Sequence, residues 1–389
     1  MIEDGKIVFI SDIHMGSHQA LFPESPWHAW GWLGEERAAQ LGSFLTGLAE
    51  DSRLRTVVVL GDLFDDWVAP SHMHPVEGNP SPDALLRSIA EAEQNQPIRQ
   101  GFSALAAKGV ELRYVRGNHD MFLSEDILHA WVPEFICEQD TAGPGTGAHV
   151  IDGLLRAEHG CAYCLANAPY VEDGEYRYPV GYYLARIDAY NRAVNDKSAD
   201  YLKIFSKFCD SPPNKDTCVG KALLAEAADA KLPNGSPFIM NSDYPNSYTV
   251  QSVADRFMDW LTQWGHRDYP VNAARAALGD VTGLRESMHD LWLKSEKVRI
   301  AVCGHTHRAE FFGYPHRSGN QDPDRPCNAI YVNTGAWVDG VNSTYVEVDI
   351  SAAANRADVR CIRVRKGRGP SVLGHGFVHL SRSSIPLVG

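Results

Sequence analysis

Lys6-Ile7-Val8-Phe9-Ile10 running into Asp12-Ile13-His14, and Val57-Val58-Val59-Leu60 running into Gly61-Asp62-Leu63-Phe64-Asp65, are the stretches that decide the fold. Each is an apolar run of buried-strand length that stops on carboxylate or imidazole groups. The same grammar returns downstream. Glu111-Leu112-Arg113-Tyr114-Val115 leads to Gly117-Asn118-His119-Asp120, and Arg299-Ile300-Ala301-Val302-Cys303 leads to Gly304-His305-Thr306-His307. Gly153-Leu154-Leu155-Arg156-Ala157 precedes His159-Gly160. In a sheet with helical crossovers, strand ends converge on one edge, where ligands bind. Residues far apart in the chain are therefore expected to meet in one site.

The chemistry of these phrases narrows the site. Carboxylate and amide oxygens mixed with imidazole nitrogens suit Mn, Fe or Zn better than Ca or a thiolate zinc finger. Six or more such ligands exceed the need of one catalytic ion. They suit two ions roughly 3.5–4 Å apart that share a carboxylate, an arrangement that activates water and clamps a phosphoryl group. In order along the chain, the phrases match D-x-H, G-D-x-x-D, G-N-H-[DE], a later His and G-H-x-H. The chain thus resembles the calcineurin-like metallophosphoesterase family, over roughly the first 160 residues and again from about 298 to 350. The resemblance implies a metallophosphoesterase-type β-sandwich of mixed sheets flanked by helices, an α/β (α+β) fold, here with an inserted, mainly helical cap.

Roles follow from the same resemblance. Asp62 is the bridging carboxylate. Asp12, His14 and His307 complete one metal, and Asn118, His159 and His305 the other, Asn118 through its amide oxygen. His119 is the non-ligand imidazole that meets the substrate phosphate and helps the leaving oxygen. Asp65 orients His119 and selects its tautomer. Two divalent transition-metal ions are implied, Mn first, with Fe or Zn as alternatives. The activity implied is hydrolysis of a phosphodiester or pyrophosphate bond by a metal-bridging hydroxide, in a nucleotide-like or sugar-lipid substrate. The alternatives are a phosphomonoesterase, a nuclease, or a non-catalytic metal-binding protein. Family members that act as lipid-sugar pyrophosphatases often carry Asp directly after His-Gly, where this chain has Cys161. They also tend to carry Arg where this chain has His119. Both departures point away from that subgroup.

The rest of the chain sets bounds. At 389 residues with 44% hydrophobic content it can bury a large core. A formal net charge of −13 disfavours a nonspecific nucleic-acid partner. A small molecule or a lipid head group carrying a phosphate ester is the expected partner. The eight cysteines are scattered, unlike a disulfide scaffold. No window has the ~18 consecutive apolar residues of a membrane span. These features are read as a cytoplasmic protein with reduced thiols. Cys161 and Cys164 form a C-x-x-C that reads as two packed thiols, since no second pair completes a zinc site.

The βαβ rhythm breaks after His159. Residues 1–162 and 297–365 are expected to form the catalytic domain, 163–296 the cap, and 366–389 a C-terminal tail. Candidate cap helices are Tyr182–Asn191, Lys197–Phe208, Lys221–Lys231, Ser252–Trp264 and Gly283–Lys294. A long helix over Asp83–Ala107 is expected to be interrupted at Pro97. Asp66 and Asp120 read as structural. His18, His72, His74 and the tryptophans at 27–32 are candidate walls of the site. Arg177, Arg186 and Arg192 are candidate phosphate grips.

Overall fold

The computed structural model describes residues 3–17, 32–67, 82–172, 174–195, 219–236, 248–258, 270–277, 280–314, 317–318, 325–338 and 343–380. Two mixed sheets lie face to face. In the first, β1 (Gly5–Ile10), β2 (Leu54–Leu60), β3 (Glu111–Val115) and β4 (Phe135–Cys137) run parallel. The antiparallel strands β13 (Ser343–Ser351), β14 (Arg356–Arg365) and β15 (Arg368–His379) extend the sheet, in the order β15-β14-β13-β1-β2-β3-β4. The second sheet contains β5 (His149–Ile151), β6 (Leu155–Glu158), β9 (Ile300–Cys303), β10 (Glu310–Tyr314), β11 (Arg317–Ser318) and β12 (Ala329–Asn333), in the order β11-β10-β12-β9-β6-β5. Its central strands β6, β9 and β12 are parallel.

Alternation along each strand divides the core into layers. Ile7, Phe9, Val58, Leu60 and Val115 face the second sheet and pack with Leu155, Ala157, Ile300, Val302, Ile330 and Val332. The intervening residues Val8, Ile10, Val57, Val59, Leu112 and Tyr114 face the opposite way. That face is covered by α1 (Glu35–Leu48), α2 (Pro82–Glu91), α3 (Gln96–Ala107) and α4 (Glu125–Trp131), whose apolar stripes share the cluster. Ser124 caps α4 by accepting from the Ile127 N–H, as its sequence position suggests. The outer face of the second sheet, through Ala301, Cys303 and Tyr331, packs against the inserted segment.

In that segment lie α5 (Val180–Asn195), α6 (Val219–Asp229), α7 (Val250–Arg256), α8 (Pro270–Ala277) and α9 (Val281–Met288), followed by a π-helical turn at His289–Leu293. A short hairpin, β7 (Tyr170–Glu172) with β8 (Glu175–Arg177), also lies there. Its strands are three residues each, too short for an alternating pattern to announce them. The helix expected at 197–208 lies outside the described residues.

Two further expectations are corrected. The helical run over 83–107 breaks at Ala92–Asn95, not at Pro97. Pro97 sits in the first turn of α3, where its missing N–H costs nothing. The stretch beginning at 366, expected as a tail, supplies β15, the edge strand of the first sheet. Gly367, at φ +68°, makes the reversal that lets Arg365 face Arg368 across the hairpin. Glycines and prolines there mark a turn and a sheet edge instead of a loose end. Among the described residues, no helix is long and apolar enough to cross a membrane.

Candidate metal centre

Every quoted phrase sits at the C-terminal end of its strand, and the two sheets direct those ends to one edge. Asp12 follows β1, Asp62 follows β2, Asn118 follows β3, His159 follows β6, and His305 and His307 follow β9. The backbone there is strained. Asp12, His14, Asp62, His305 and His307 all have φ between 51° and 71°, and they are five of the eight non-glycine residues with positive φ among the described residues. Such strain gathers where a site imposes side-chain direction over local comfort.

Glycines let the loops close up. A Cβ at Gly61 would fall 2.5 Å from Gly117 Cα and 2.7 Å from His159 Nδ1, and Gly61 itself has φ +74°. A Cβ at Gly304 would fall 2.4 Å from Ser11 Oγ and 2.7 Å from Asp12 Oδ2. Only glycine permits these ligand loops to meet so closely.

Three groups of side chains bring their ligand atoms within 4.8 Å of one another: Asp12, His14 and His307; Asp62, His159 and His305; and His14, Asp62 and His119. Asp62 is central. Its Oδ2 lies 3.2 Å from His159 Nε2 and 3.6 Å from His14 Nε2. His159 Nε2 is also 3.0 Å from Asn118 Oδ1 and 3.3 Å from His305 Nδ1. On the other side, His307 Nε2 is 3.3 Å from Asp12 Oδ1 and 3.1 Å from His14 Nε2. Asp12 Oδ1 is buried and makes no aligned hydrogen bond. Imidazole nitrogens that face each other and carboxylate oxygens at such range share a focus, the donor chemistry of a transition-metal site. All seven residues expected as ligands are thus gathered at one edge. Asp12, Asp62, Asn118 and His159 are almost wholly buried.

Burial and neighbouring charge set the protonation of these groups. Burial alone would push the Asp62 carboxyl up, but the imidazoles of His159, His119 and His14 outweigh it and hold it well below the usual carboxylate range. His159 is opposed by burial yet raised to about 9 by Asp62, which accepts its proton bond. Burial and the adjacent His159 push His305 down to about 3. Within that pair of rings one is held charged and the other neutral.

The supports come from the backbone and from neighbours of the phrases. His159 Nδ1 lies 2.7 Å from the Leu60 carbonyl, a contact that selects the tautomer leaving Nε2 toward Asp62. Asp120 accepts from four backbone N–H groups, those of Asp62, Leu63, Phe64 and Gly117, so it is a pin for the Asp62 turn. The Asp12 carbonyl accepts from Trp337 and Val338 N–H, and its Oδ2 from His305 N–H and Ser11 Oγ. Asn333 Nδ2 donates to the Gly304 carbonyl at 2.7 Å, and Thr334 Oγ1 meets Ser11 Oγ at 2.6 Å. Sequence reading missed Asn333 and Thr334. The signal was present, because Asn333-Thr334-Gly335 also closes an apolar strand at the same edge.

His119 lies beside this centre. Its Nδ1 is 3.0 Å from Asp65 Oδ1, close but off the hydrogen-bond line, and its own N–H donates to Asp62 Oδ1 at 2.8 Å. Asp65 also reaches His14 Nδ1 through Oδ2 at 3.2 Å. Burial opposes charge on the His119 ring, but Asp65 and Asp62 together raise it.

A family model described as calcineurin-like phosphoesterase matches residues 5–309. The chain belongs to the calcineurin-like phosphoesterase family. Among solved structures, this phosphoesterase-family chain is similar to Vps29 of Chaetomium thermophilum at 11% identity, over 97% of this chain and 100% of that one, with a TM-score of 0.33. It is also similar to a putative 5′-nucleotidase from Staphylococcus aureus in complex with alpha-ketoglutarate at 10% identity, with a TM-score of 0.30. That alignment covers 99% of this chain and 56% of the other. At such values neither bears on what this phosphoesterase-family chain does. No curated protein matches it.

Other expectations fare differently. Arg186 is buried, and its Nη1 donates to the Trp67 carbonyl at 3.4 Å. Arg177 pairs with Glu175 at 2.6 Å and Arg192 with Asp188 at 2.9 Å. Cys161 and Cys164 are buried, with Cys161 Sγ donating to the Gly145 carbonyl. Trp32 is buried against Gly16. His18, His72, His74, Trp27 and Trp30 lie outside the described residues.

Proposed function

We propose that this protein is a dinuclear metal-dependent phosphoesterase that hydrolyses a phosphodiester or pyrophosphate bond in a small molecule or lipid head group. The observation that carries the reading is Asp62, buried between two ligand groups. Asp12, His14 and His307 stand on one side and Asn118, His159 and His305 on the other, within reach of two ions. The donor set fits Mn first and Fe or Zn as alternatives. Bound there, the ions would make water a nucleophile near neutral pH and neutralise charge on the phosphoryl oxygens.

The chain's own groups supply the rest. Asp62, held ionised, is suited to serve both ions at once. His119 is placed to hydrogen-bond a phosphoryl oxygen and to pass a proton to the leaving oxygen through its Nε2, because Asp65 occupies the Nδ1 side. We further take residues 163–296 as a cap that contributes to substrate selection. In support, Asn167 Nδ2 lies 3.5 Å from His305 Nε2, and Leu284 of α9 lies against Gly160 at the edge of the centre.

The test is a substrate panel of cyclic and linear phosphodiesters, nucleotide-sugars and monoesters, run after chelation and after Mn is restored. Metal-dependent turnover of bis-p-nitrophenyl phosphate is expected, with diesters or pyrophosphates preferred. His119→Ala is expected to slow turnover by roughly 10²–10⁴ while metal content stays normal. A panel silent with Mn, Fe and Zn alike would refute catalysis, and loss of metal in His119→Ala would make that residue a ligand.

A further inference from the structure

Trp67 follows the G-D-x-x-D phrase by two residues and is buried beside the candidate centre. Its indole lies parallel to the His119 imidazole, with centroids 3.7 Å apart and planes 18° apart. Its Nε1 donates to the Asn118 carbonyl at 2.8 Å. Its own N–H donates to Asp65 Oδ1 at 3.1 Å, the same oxygen that faces His119 Nδ1. The intervening Asp66 N–H donates to the His119 carbonyl at 3.1 Å. Residues 65–67 therefore hold both the backbone and the ring of 118–119. Asp65 sets which nitrogen points outward, and the indole blocks rotation of the ring out of its plane.

The other side of Trp67 is held by the insertion. Tyr182 of α5 meets the indole edge to face at 6.2 Å, and Arg186 of the same helix donates to the Trp67 carbonyl. Gly181 allows the approach: a Cβ there would fall 2.2 Å from Asn167 Oδ1 and 3.1 Å from Trp67 Cη2. Tyr178 stacks on Tyr182 at 4.0 Å and donates to Asp66 Oδ2 at 2.8 Å. A continuous run of rings and hydrogen bonds thus joins the start of α5 to His119.

We infer that Trp67 is a positioning residue for His119 and that α5 of the insertion clamps Trp67 against it. The inference rests on the reading of His119 as the group that assists the leaving oxygen. It makes the insertion part of the machinery that aims the acid as well as a wall for substrate. A ring displaced by about 1 Å from a productive pose loses about a hundredfold in rate. That loss appears where proton donation matters most, on poor leaving groups.

The experiment uses the full chain reconstituted with Mn. Wild type, Trp67→Leu, Trp67→Phe, His119→Ala and the Trp67→Leu/His119→Ala double variant are compared on two diesters that differ only in leaving group, p-nitrophenol or an alkyl alcohol. For Trp67→Leu, compared at matched Mn content because the indole Nε1 also holds the Asn118 carbonyl, kcat on the alkyl ester should fall about 10–100-fold and on the p-nitrophenyl ester less than about threefold, with KM unchanged. Trp67→Phe, which keeps a ring over His119, should recover most of the loss. The double variant should be no slower than His119→Ala, because a residue acting through another adds nothing once that other is gone. Tyr182→Leu, which removes the α5 ring that meets the indole, should show the same leaving-group pattern in weaker form.

Equal losses of Trp67→Leu on both esters, or a double variant slower than His119→Ala by the full Trp67→Leu factor, would overturn the inference. If His119→Ala itself slows both esters equally, the acid role fails, and the double variant alone then decides whether Trp67 acts through His119. Should Trp67→Leu not fold, Trp67→Phe and Tyr182→Leu carry the same comparison.

Discussion

Replacing Asp120 with Ala should unfold the turn that presents Asp62 before it changes anything else. Asp120 Oδ2 accepts from Leu63 N–H at 2.7 Å and Phe64 N–H at 3.2 Å. Oδ1 accepts from Gly117 N–H at 2.7 Å and Asp62 N–H at 3.3 Å. The side chain is fully buried, so no solvent stands ready to replace it. Burial and the nearby Asp62 push its carboxyl up. All four contacts are nevertheless donors, and an ionised carboxylate is the better acceptor through both oxygens, so these bonds favour the charged form. Each orphaned buried donor costs about 1–3 kcal/mol. Counting the two short bonds in full and the two long ones lightly puts the loss at about 3–5 kcal/mol. Asp120→Asn should cost less, about 2–3 kcal/mol, since one oxygen remains for two of the four donors while its amide faces the others. Denaturant unfolding of the metal-free proteins measures both values, and metal content of the variants should fall together with stability. An Asp120→Ala protein within about 1 kcal/mol of wild type would show that the four bonds do not hold the turn.

Three further outcomes are expected. Elemental analysis should find about two transition-metal ions per chain, and Asp62→Asn should lower occupancy of both, since a bridging ligand serves both ions; a variant that loses one ion and keeps the other intact would break the bridge. His159, raised to about 9 by Asp62 against burial, must shed a proton to bind metal, so Mn affinity should climb by about tenfold per pH unit for that proton as pH rises toward about 9, and level off above. The metal-free protein should do the reverse: a raised histidine contributes stability that is complete below about 6.5 and lost as pH rises through about 9, and a pH-independent Mn dissociation constant would refute this. Burial holds the Asp66 carboxyl well above the usual range despite the Tyr178 hydroxyl, so the native state binds the extra proton and wild-type stability should fall as pH climbs above about 4 toward that raised value. Asp66→Asn should flatten that slope, and parallel melting-temperature profiles for the two proteins would sink the assignment.

Much of the centre was legible in the sequence because its information is local. An apolar run of strand length followed by Asp, His or Asn gives both the strand and the edge it points to, and the glycines that let the loops meet are adjacent to their ligands. The alternation of Ile7 and Phe9 against Val8 and Ile10 likewise announced a strand buried on both faces. The break of rhythm after His159 announced an inserted helical segment for the same reason: a change of period is visible along the chain.

What only the tertiary structure decided are the contacts between elements that no period links. Asp120 reaches back 58 residues to the Asp62 N–H, and Arg186 reaches 119 residues to the Trp67 carbonyl. The stacking of Trp67 on His119 and its contact with Tyr182 of α5 are likewise set by packing. The glycine-rich stretch after Lys366 reads as a tail, whereas the open edge of β14 makes it a strand by offering unpaired backbone groups. Composition and spacing carry ligand chemistry and strand direction. Side-chain partners belong to packing, because a ring or a guanidinium takes its place from whatever the fold brings within 4 Å, and the chain order does not record that.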